Sequence, residues 1–303
     1  MRVAAIDVGT NSTRLLVAEE HPEGLRTVTR RMVITRLGEG VDRTGTLRAA
    51  ALKRTLAVIA DYAATCGELG AQRLRVVGTS AVRDAANRNE LFVGVRKLTG
   101  SPPELLSGEA EARTTFLGVR SGLSDTGPVL VVDIGGGSTE LIYGADEPDR
   151  LISLEIGCVR MLEKHLGSDP PAPRELDALR TEVVAQLERA RAALAVPPGV
   201  RLVGVAGTVT QLATLEAGLA AYDPDIVHHM TLTHDDVRRL ARRLAALPHE
   251  KRSRIKGLEA GRVDVIVAGA EILRAVMEAF DAPEVLVSEK DILDGLVLQL
   301  LGS

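Results

Sequence analysis

Two rhythms of apolar and polar positions alternate along the chain, and the switches between them mark its elements. In VLVVDIGGGSTELIY (129–143) a β-branched, aliphatic run reads as a buried strand. It stops at Asp133, crosses Gly135, Gly136 and Gly137, and resumes as an alternating strand from Thr139. The N-terminus opens alike, with strands expected over 3–7, 13–18 and about 25–35, and a turn marked by Pro22, Glu23 and Gly24. Leu52, Leu56, Ile59, Ala63 and Cys66 then fall at helical spacing. A short strand at 74–77 ends at Gly78-Thr79. Helices follow over about 88–98 and 108–121, with a strand at 104–106 between them. The later part predicts a helix over 159–166, a long helix starting near Pro173, a strand at 202–205, and an amphipathic helix over 232–247. Final helices over about 261–280 and 291–300 flank a strand at 285–287.

The opening motif recurs. DVGTNSTRLL (7–16) and DIGGGSTELI (133–142) share Asp, Gly, Ser, Thr and Leu in register, 126 positions apart. Gly78-Thr79 and Gly207-Thr208 form a second matching pair, 129 positions apart. Two turns recurring in one order at nearly one offset indicate a duplicated half-domain. The polar stretch 122–128 reads as the hinge, giving domains 1–122 and 123–303, with the last helix, about 291–300, expected to pack back on the first. Glycine lets backbone N–H groups approach an anion, and an acid ending a buried strand can face a phosphate-bound cation. The expected phosphate donors are Gly9, Thr10, Asn11 and Ser12 in the first copy and Gly135, Gly136, Gly137 and Ser138 in the second. Asp7 and Asp133 are the expected holders of Mg²⁺ or Mn²⁺. Acids that merely cap turns are the competing account.

Composition narrows the partners. Aromatic residues make up 2% of the chain and Trp is absent, which leaves little for base stacking. The net charge of −4 argues against a nucleic-acid partner, so a polyanion would need a local basic patch. Cys66 and Cys158 form neither a disulfide framework nor a metal-spaced cluster. The N-terminus runs straight into a strand and no apolar run reaches membrane-spanning length, which gives a cytoplasmic expectation with no membrane partner.

The motifs DVGTNSTRLLV (7–17), RLGEGV (36–41), GTSAVRDAAN (78–87), SGEAEA (107–112), DIGGGSTEL (133–141) and AGT (206–208), with a weaker match over 261–273, resemble the exopolyphosphatase/guanosine pentaphosphate phosphatase family in its short, two-domain form. The resemblance implies an α/β fold of the actin, sugar-kinase and heat-shock-chaperone type. Such a fold has ribonuclease H-like duplicated domains flanking an interdomain cleft. It also implies a metal-assisted hydrolase that releases terminal orthophosphate from inorganic polyphosphate. Guanosine pentaphosphate is the alternative substrate, and a small-molecule kinase or a non-hydrolytic phosphate-binding sensor is the alternative class. A homodimer stays open.

By the same resemblance Arg83 contacts phosphate and Glu111 is the general base. A surface ion pair to Asp84 or another neighbour competes for Arg83. Glu109 rivals Glu111, and a helix N-terminus favours acids at either position. Glu140 stands where the first copy has Arg14, so the repeats diverge from a cation to an acid suited to orienting a water. Gly207 and Thr208 complete the phosphate set. His228-His229 reads as adjacent residues on a strand, facing opposite ways and unable to share one ion. Arg238, Arg239, Arg242 and Arg243 read as a solvated face, with polyanion contact as the lesser account. Asp291 and Leu293 stand where longer relatives commonly carry Gly and Arg, so no phosphate role carries over there.

Overall fold

Both faces of strand β1 (Arg2–Val8) are buried, which explains its unbroken apolar run. The computed structural model describes residues 1–22 and 24–302; Glu23 of the expected turn lies outside the described residues. Met1–Leu123 together with Lys290–Ser303 form one unit, and Ser124–Glu289 the other.

In the first unit, β2 (Ser12–His21) pairs antiparallel with β1, and β3 (Gly24–Ile34) antiparallel with β2. Strand β4 (Arg73–Gly78) runs parallel to β1, and β5 (Glu104–Leu105) parallel to β4, giving the order β3-β2-β1-β4-β5. Ala4, Ile6, Leu15 and Val17 face a core with Ile59, Tyr62 and Cys66 of the helix Ala49–Glu68. The alternate residues Val3, Ala5, Leu16 and Ala18 face Ile292, Leu293, Leu296 and Val297 of the helix Ile292–Leu301.

The second unit repeats the plan. Strands β6 (Val129–Ile134), β7 (Thr139–Gly144) and β8 (Pro148–Leu154) form an antiparallel meander, and β9 (Arg201–Val205) lies parallel to β6. With β10 (Thr231–Thr233) and β11 (Glu284–Val287) the order is β10-β11-β9-β6-β7-β8. In each unit, a parallel strand reached through helical crossover chain flanks the hairpin that carries the motif.

Several elements differ from expectation. The helix expected over 232–247 is His234–Ala245, because Thr231–Thr233 pairs with β11 and Thr233 starts the helix through a reciprocal cap with Asp236. Ala206–Glu216 is a helix where only a turn was expected. Its buried side includes Thr208, Gln211 and Thr214, which blur the apolar periodicity. The two histidines do not lie on a strand. His228 ends the short helix Pro224–Val227, His229 has a φ of 63°, and their rings lie 3.8 Å apart. The expectation of opposite faces is therefore overturned.

Candidate active site

The two motif hairpins close alike. Gly9 N–H donates to the Ser12 carbonyl at 3.0 Å, and Gly135 N–H to the Ser138 carbonyl at 3.0 Å. The first N–H of each turn is thus occupied within the turn. The following carbonyls are also taken. In the first unit, Thr10 O accepts from Gly38 N–H (2.8 Å), and Asn11 O from Thr35 N–H (3.1 Å) and Arg36 N–H (2.9 Å). Across a trans peptide the N–H points opposite to the preceding carbonyl, so the Asn11 and Ser12 N–H groups point away from the segment 35–38. In the second unit the Gly135 and Gly136 carbonyls accept from Cys158 (2.9 Å), Val159 (2.8 Å) and Arg160 (3.1 Å) N–H groups, and Gly137 O from Arg160 Nε (2.8 Å). The N–H groups of Gly136, Gly137 and Ser138 consequently point away from the helix Cys158–His165. Successive N–H groups aimed one way form an anion-binding concavity. Gly157 permits this packing, since a Cβ there would collide with the Gly136–Gly137 peptide.

The acids differ between the units. Asp7 lies directly across the hairpin from Arg14, and Asp133 directly across from Glu140. Arg14 donates to Asp7 Oδ2 from Nε (2.9 Å) and from a terminal nitrogen (2.7 Å). Asp7 Oδ1 is buried with no hydrogen-bond partner, as is Asn11 Nδ2 in the same turn. Burial pushes the Asp7 carboxyl above its usual range, the Arg14 guanidinium offsets part of this, and the Asp291 charge adds to it. In the second unit Glu140, 1% exposed, accepts from Ser153 Oγ at 2.7 Å.

Arg83, on the short helix Ser80–Asp84, donates to Leu106 O (2.9 Å) and to Glu111 Oε2 (2.7 Å). Its ion-pair partner is therefore the expected base. Ser107 caps the helix Gly108–Arg120 by accepting from Ala110 N–H, which sets Glu111 in the first turn. Glu111 is buried, whereas Glu109 is exposed and pairs with Arg113 at 3.0 Å. Thr208 is buried in the first turn of Ala206–Glu216 against Gly269, and Ala206 takes a φ of 66° to start that helix.

Two candidates escaped the sequence reading. Ser80 Oγ is buried without a hydrogen-bond partner, next to Ala81, whose N–H the Thr10 hydroxyl accepts at 3.2 Å. The Arg262 guanidinium occupies the space a Cβ at Gly207 would take. Its only signal was the weak motif match over 261–273. The basic helix face is ion-paired at the surface, Arg238 with Asp235 and Arg239 with Glu216 and Asp236.

Among the described residues no three His, Cys, Asp or Glu side chains cluster as a metal cage. The donors fit a hard cation that takes few protein oxygens and completes its shell with water and phosphate. Asp7 Oδ1 is an available ligand of that kind.

The Ppx/GppA phosphatase family profile matches residues 16–303. The chain is 39% identical to exopolyphosphatase 2 of Mycobacterium tuberculosis over 99% of each chain. It is 32% identical to the guanosine-5'-triphosphate,3'-diphosphate pyrophosphatase of Aeromonas salmonicida over 99% of its own length and 59% of that protein. The crystal structure of the Aquifex aeolicus member of the Ppx/GppA family superposes with a TM-score of 0.84 at 33% identity, covering 99% of this chain and 97% of that one.

Proposed function

The chain belongs to the Ppx/GppA phosphatase family, and from that premise we propose that it is an exopolyphosphatase removing terminal orthophosphate from inorganic polyphosphate. The observation that carries this reading is the pair of buried, unpartnered atoms in the first turn, an acceptor at Asp7 Oδ1 and a donor at Asn11 Nδ2. A buried polar atom without a partner costs about 1–3 kcal/mol. A turn that keeps one of each sign is suited to a cation and a phosphate oxygen.

A divalent cation, Mg²⁺ or Mn²⁺, for which Asp7 and Asp133 are the candidate holders, would neutralise charge on the phosphate as it is displaced. The remaining work falls to side chains and backbone. The N–H groups of Asn11, Ser12, Gly136, Gly137 and Ser138 grip phosphate oxygens, with Thr10, Gly207 and Thr208 shaping the adjoining turns. The guanidinium of Arg83 suits two phosphate oxygens at once. Substrate phosphate competes with Glu111 for Arg83, so binding frees the Glu111 carboxylate to accept a proton from the attacking water. Glu140, held by Ser153, is the second buried acid of the set and is suited to orienting a water. A kinase would instead keep water away from the phosphate, and two buried acids in this set favour water attack.

Phosphate release measured side by side on long polyphosphate, short polyphosphate, guanosine pentaphosphate and ATP tests the reading. Polyphosphate should be hydrolysed with the highest kcat/KM, and release from ATP alone would reject it. Guanosine pentaphosphate is the second reading, favoured by the likeness to the Aeromonas enzyme. Polyphosphate ranks first because the mycobacterial exopolyphosphatase is matched over nearly its whole length.

A further inference from the structure

Asp291 lies 277 residues from Arg14 in sequence and shares its guanidinium with Asp7. One Arg14 terminal nitrogen pairs with Asp291 Oδ2, while Nε and the other terminal nitrogen bond Asp7 Oδ2 at 2.9 and 2.7 Å. Asp291 is itself firmly placed. It caps the helix Ile292–Leu301, accepting from Leu293 N–H at 2.9 Å, while its own N–H donates to Asp294 at 3.1 Å. Arg30 reaches both Asp291 (3.4 Å) and Asp294, and Lys290 pairs with Asp294 at 3.0 Å. Burial pushes the Asp291 carboxyl up, but Arg14, Arg30 and the Leu293 N–H together hold it below the usual range, so it stands as a fixed negative charge. The helix is seated on Gly108–Arg120, which bears Glu111. A Cβ at Gly118 would strike the Asp291 carbonyl, and one at Gly295 would strike that of Thr114.

An arginine facing a lone carboxylate tends to take both oxygens with its fork. Here both Arg14 bonds to Asp7 end on Oδ2, and Oδ1 is left without a partner. We propose that Asp291 is a positioning residue for the cation-binding carboxylate: by holding one arm of Arg14, it keeps the guanidinium off Asp7 Oδ1. The inference rests on the assignment of Asp7 to the divalent cation. Losing a group that hydrogen-bonds a metal ligand costs about 10–100-fold in affinity; Arg14 is that group here, and Asp291 acts on the ligand through it.

Mn²⁺ binding without substrate, read by electron paramagnetic resonance, gives a measure independent of turnover. Wild type should bind and Asp7→Asn should bind much more weakly; equal binding would overturn the metal assignment and this inference with it. Asp291→Asn keeps an oxygen for the Leu293 cap and removes the charge. It should weaken Mn²⁺ binding by a few-fold to about 10-fold, the low end of what a ligand's direct partner is worth, and in turnover raise the Mg²⁺ needed for half activation without raising KM for polyphosphate at saturating Mg²⁺. Asp294→Asn removes an equal charge from the same cluster at its Arg30 and Lys290 pairs, and should shift Mn²⁺ binding far less. Wild-type affinity in Asp291→Asn, or an equal loss in both variants, would overturn the proposal while leaving Asp7 as a ligand. Asp291→Ser also caps a helix and replaces the Asn variant if that one does not fold. Failure of both to fold would assign Asp291 to the fold alone and overturn the proposal as well.

Discussion

The hairpins β1–β2 and β6–β7 are copies with the same turn closure and the same strand register, yet they present opposite charges across from their aspartates. Asp7 faces Arg14, and Asp133 faces Glu140. Opposite charges directly across a strand pair stabilise it, and like charges destabilise it. The first hairpin therefore needs nothing further to hold Asp7 Oδ2, whereas the second keeps two acids side by side in a buried pair. The two copies thus divide: the first bonds its acid on one oxygen and leaves the other without a hydrogen-bond partner, and the second places an additional buried carboxylate across from its acid.

The largest test of this division is removal of the cation. Exhaustive EDTA treatment should abolish phosphate release, and added Mg²⁺ or Mn²⁺ should restore it. Full turnover after stripping would leave Asp7 and Asp133 without the role given to them. Next in size are the acids themselves. Glu140→Gln and Glu111→Gln should each lower kcat by about 10²–10⁴ with substrate binding retained, the range for losing a general base or its water. If both act on one water, the double variant should cost much less than the product of the single losses. A full product would separate their roles.

A second contrast separates acids of the site from acids of the framework. Glu271, 1% exposed in the helix Ile266–Ala279, is fully engaged: Arg180 bonds both its oxygens (2.9 and 2.6 Å) and Arg274 one (3.0 Å). Burial pushes its carboxyl up, but the two arginines more than offset this and hold it below the usual range. Its contribution is thus complete above the unfolded value of about 4.3 and is lost as pH falls through the lower folded value. Asp7, with an orphan oxygen and a raised pKa, shows the opposite pattern. Glu271→Gln should cost about 3 kcal/mol near pH 7, the lower end for a broken buried pair because Arg180 reaches solvent. Urea denaturation at falling pH should show the gap between variant and wild type closing in acid. A gap independent of pH would mean that the charge on Glu271 is not what stabilises the fold.

Local patterns made the hairpins legible. Strand alternation and the repeated D-x-G turn placed Asp7, Asp133 and Glu140 without any tertiary information, and the SGEAEA motif placed Glu111 near the start of its helix. Features that depend on distant chain were not legible. Ser80 became a candidate only because the turn at Thr10 meets the helix after β4, and Asp291 because the last helix covers the second face of the first sheet. The histidine pair misled because a strand expected from alternation is interrupted by a left-handed residue at His229. The motif offset was also one residue long. Val77 pairs with Asp7 and Val205 with Asp133, so the strands that precede the Gly-Thr motifs repeat at 128 positions, and Gly207-Thr208 lies one residue further from its paired strand position than Gly78-Thr79 does.

The smallest expected effect fixes the register of the acids on the helix Gly108–Arg120. Glu109 and Glu111 both lie in its first turn, where the helix dipole favours a negative charge by about 0.3–1 kcal/mol. They differ in surroundings: Glu111 is buried against Arg83, and Glu109 is exposed beside Arg113. An exposed i,i+4 pair is worth about 0.3–0.5 kcal/mol. Glu109→Gln should therefore lower stability by less than about 1 kcal/mol and leave kcat within a few-fold of wild type. Arg113→Gln, which removes the other half of the same surface pair, should behave alike. Steady-state kinetics on polyphosphate with thermal denaturation of the same preparations would compare both with Glu111→Gln. An inactive Glu109→Gln beside a Glu111→Gln with near-normal kcat would place the catalytic acid on the exposed side of the helix. Arg83 would then be bound to a carboxylate with no part in the reaction.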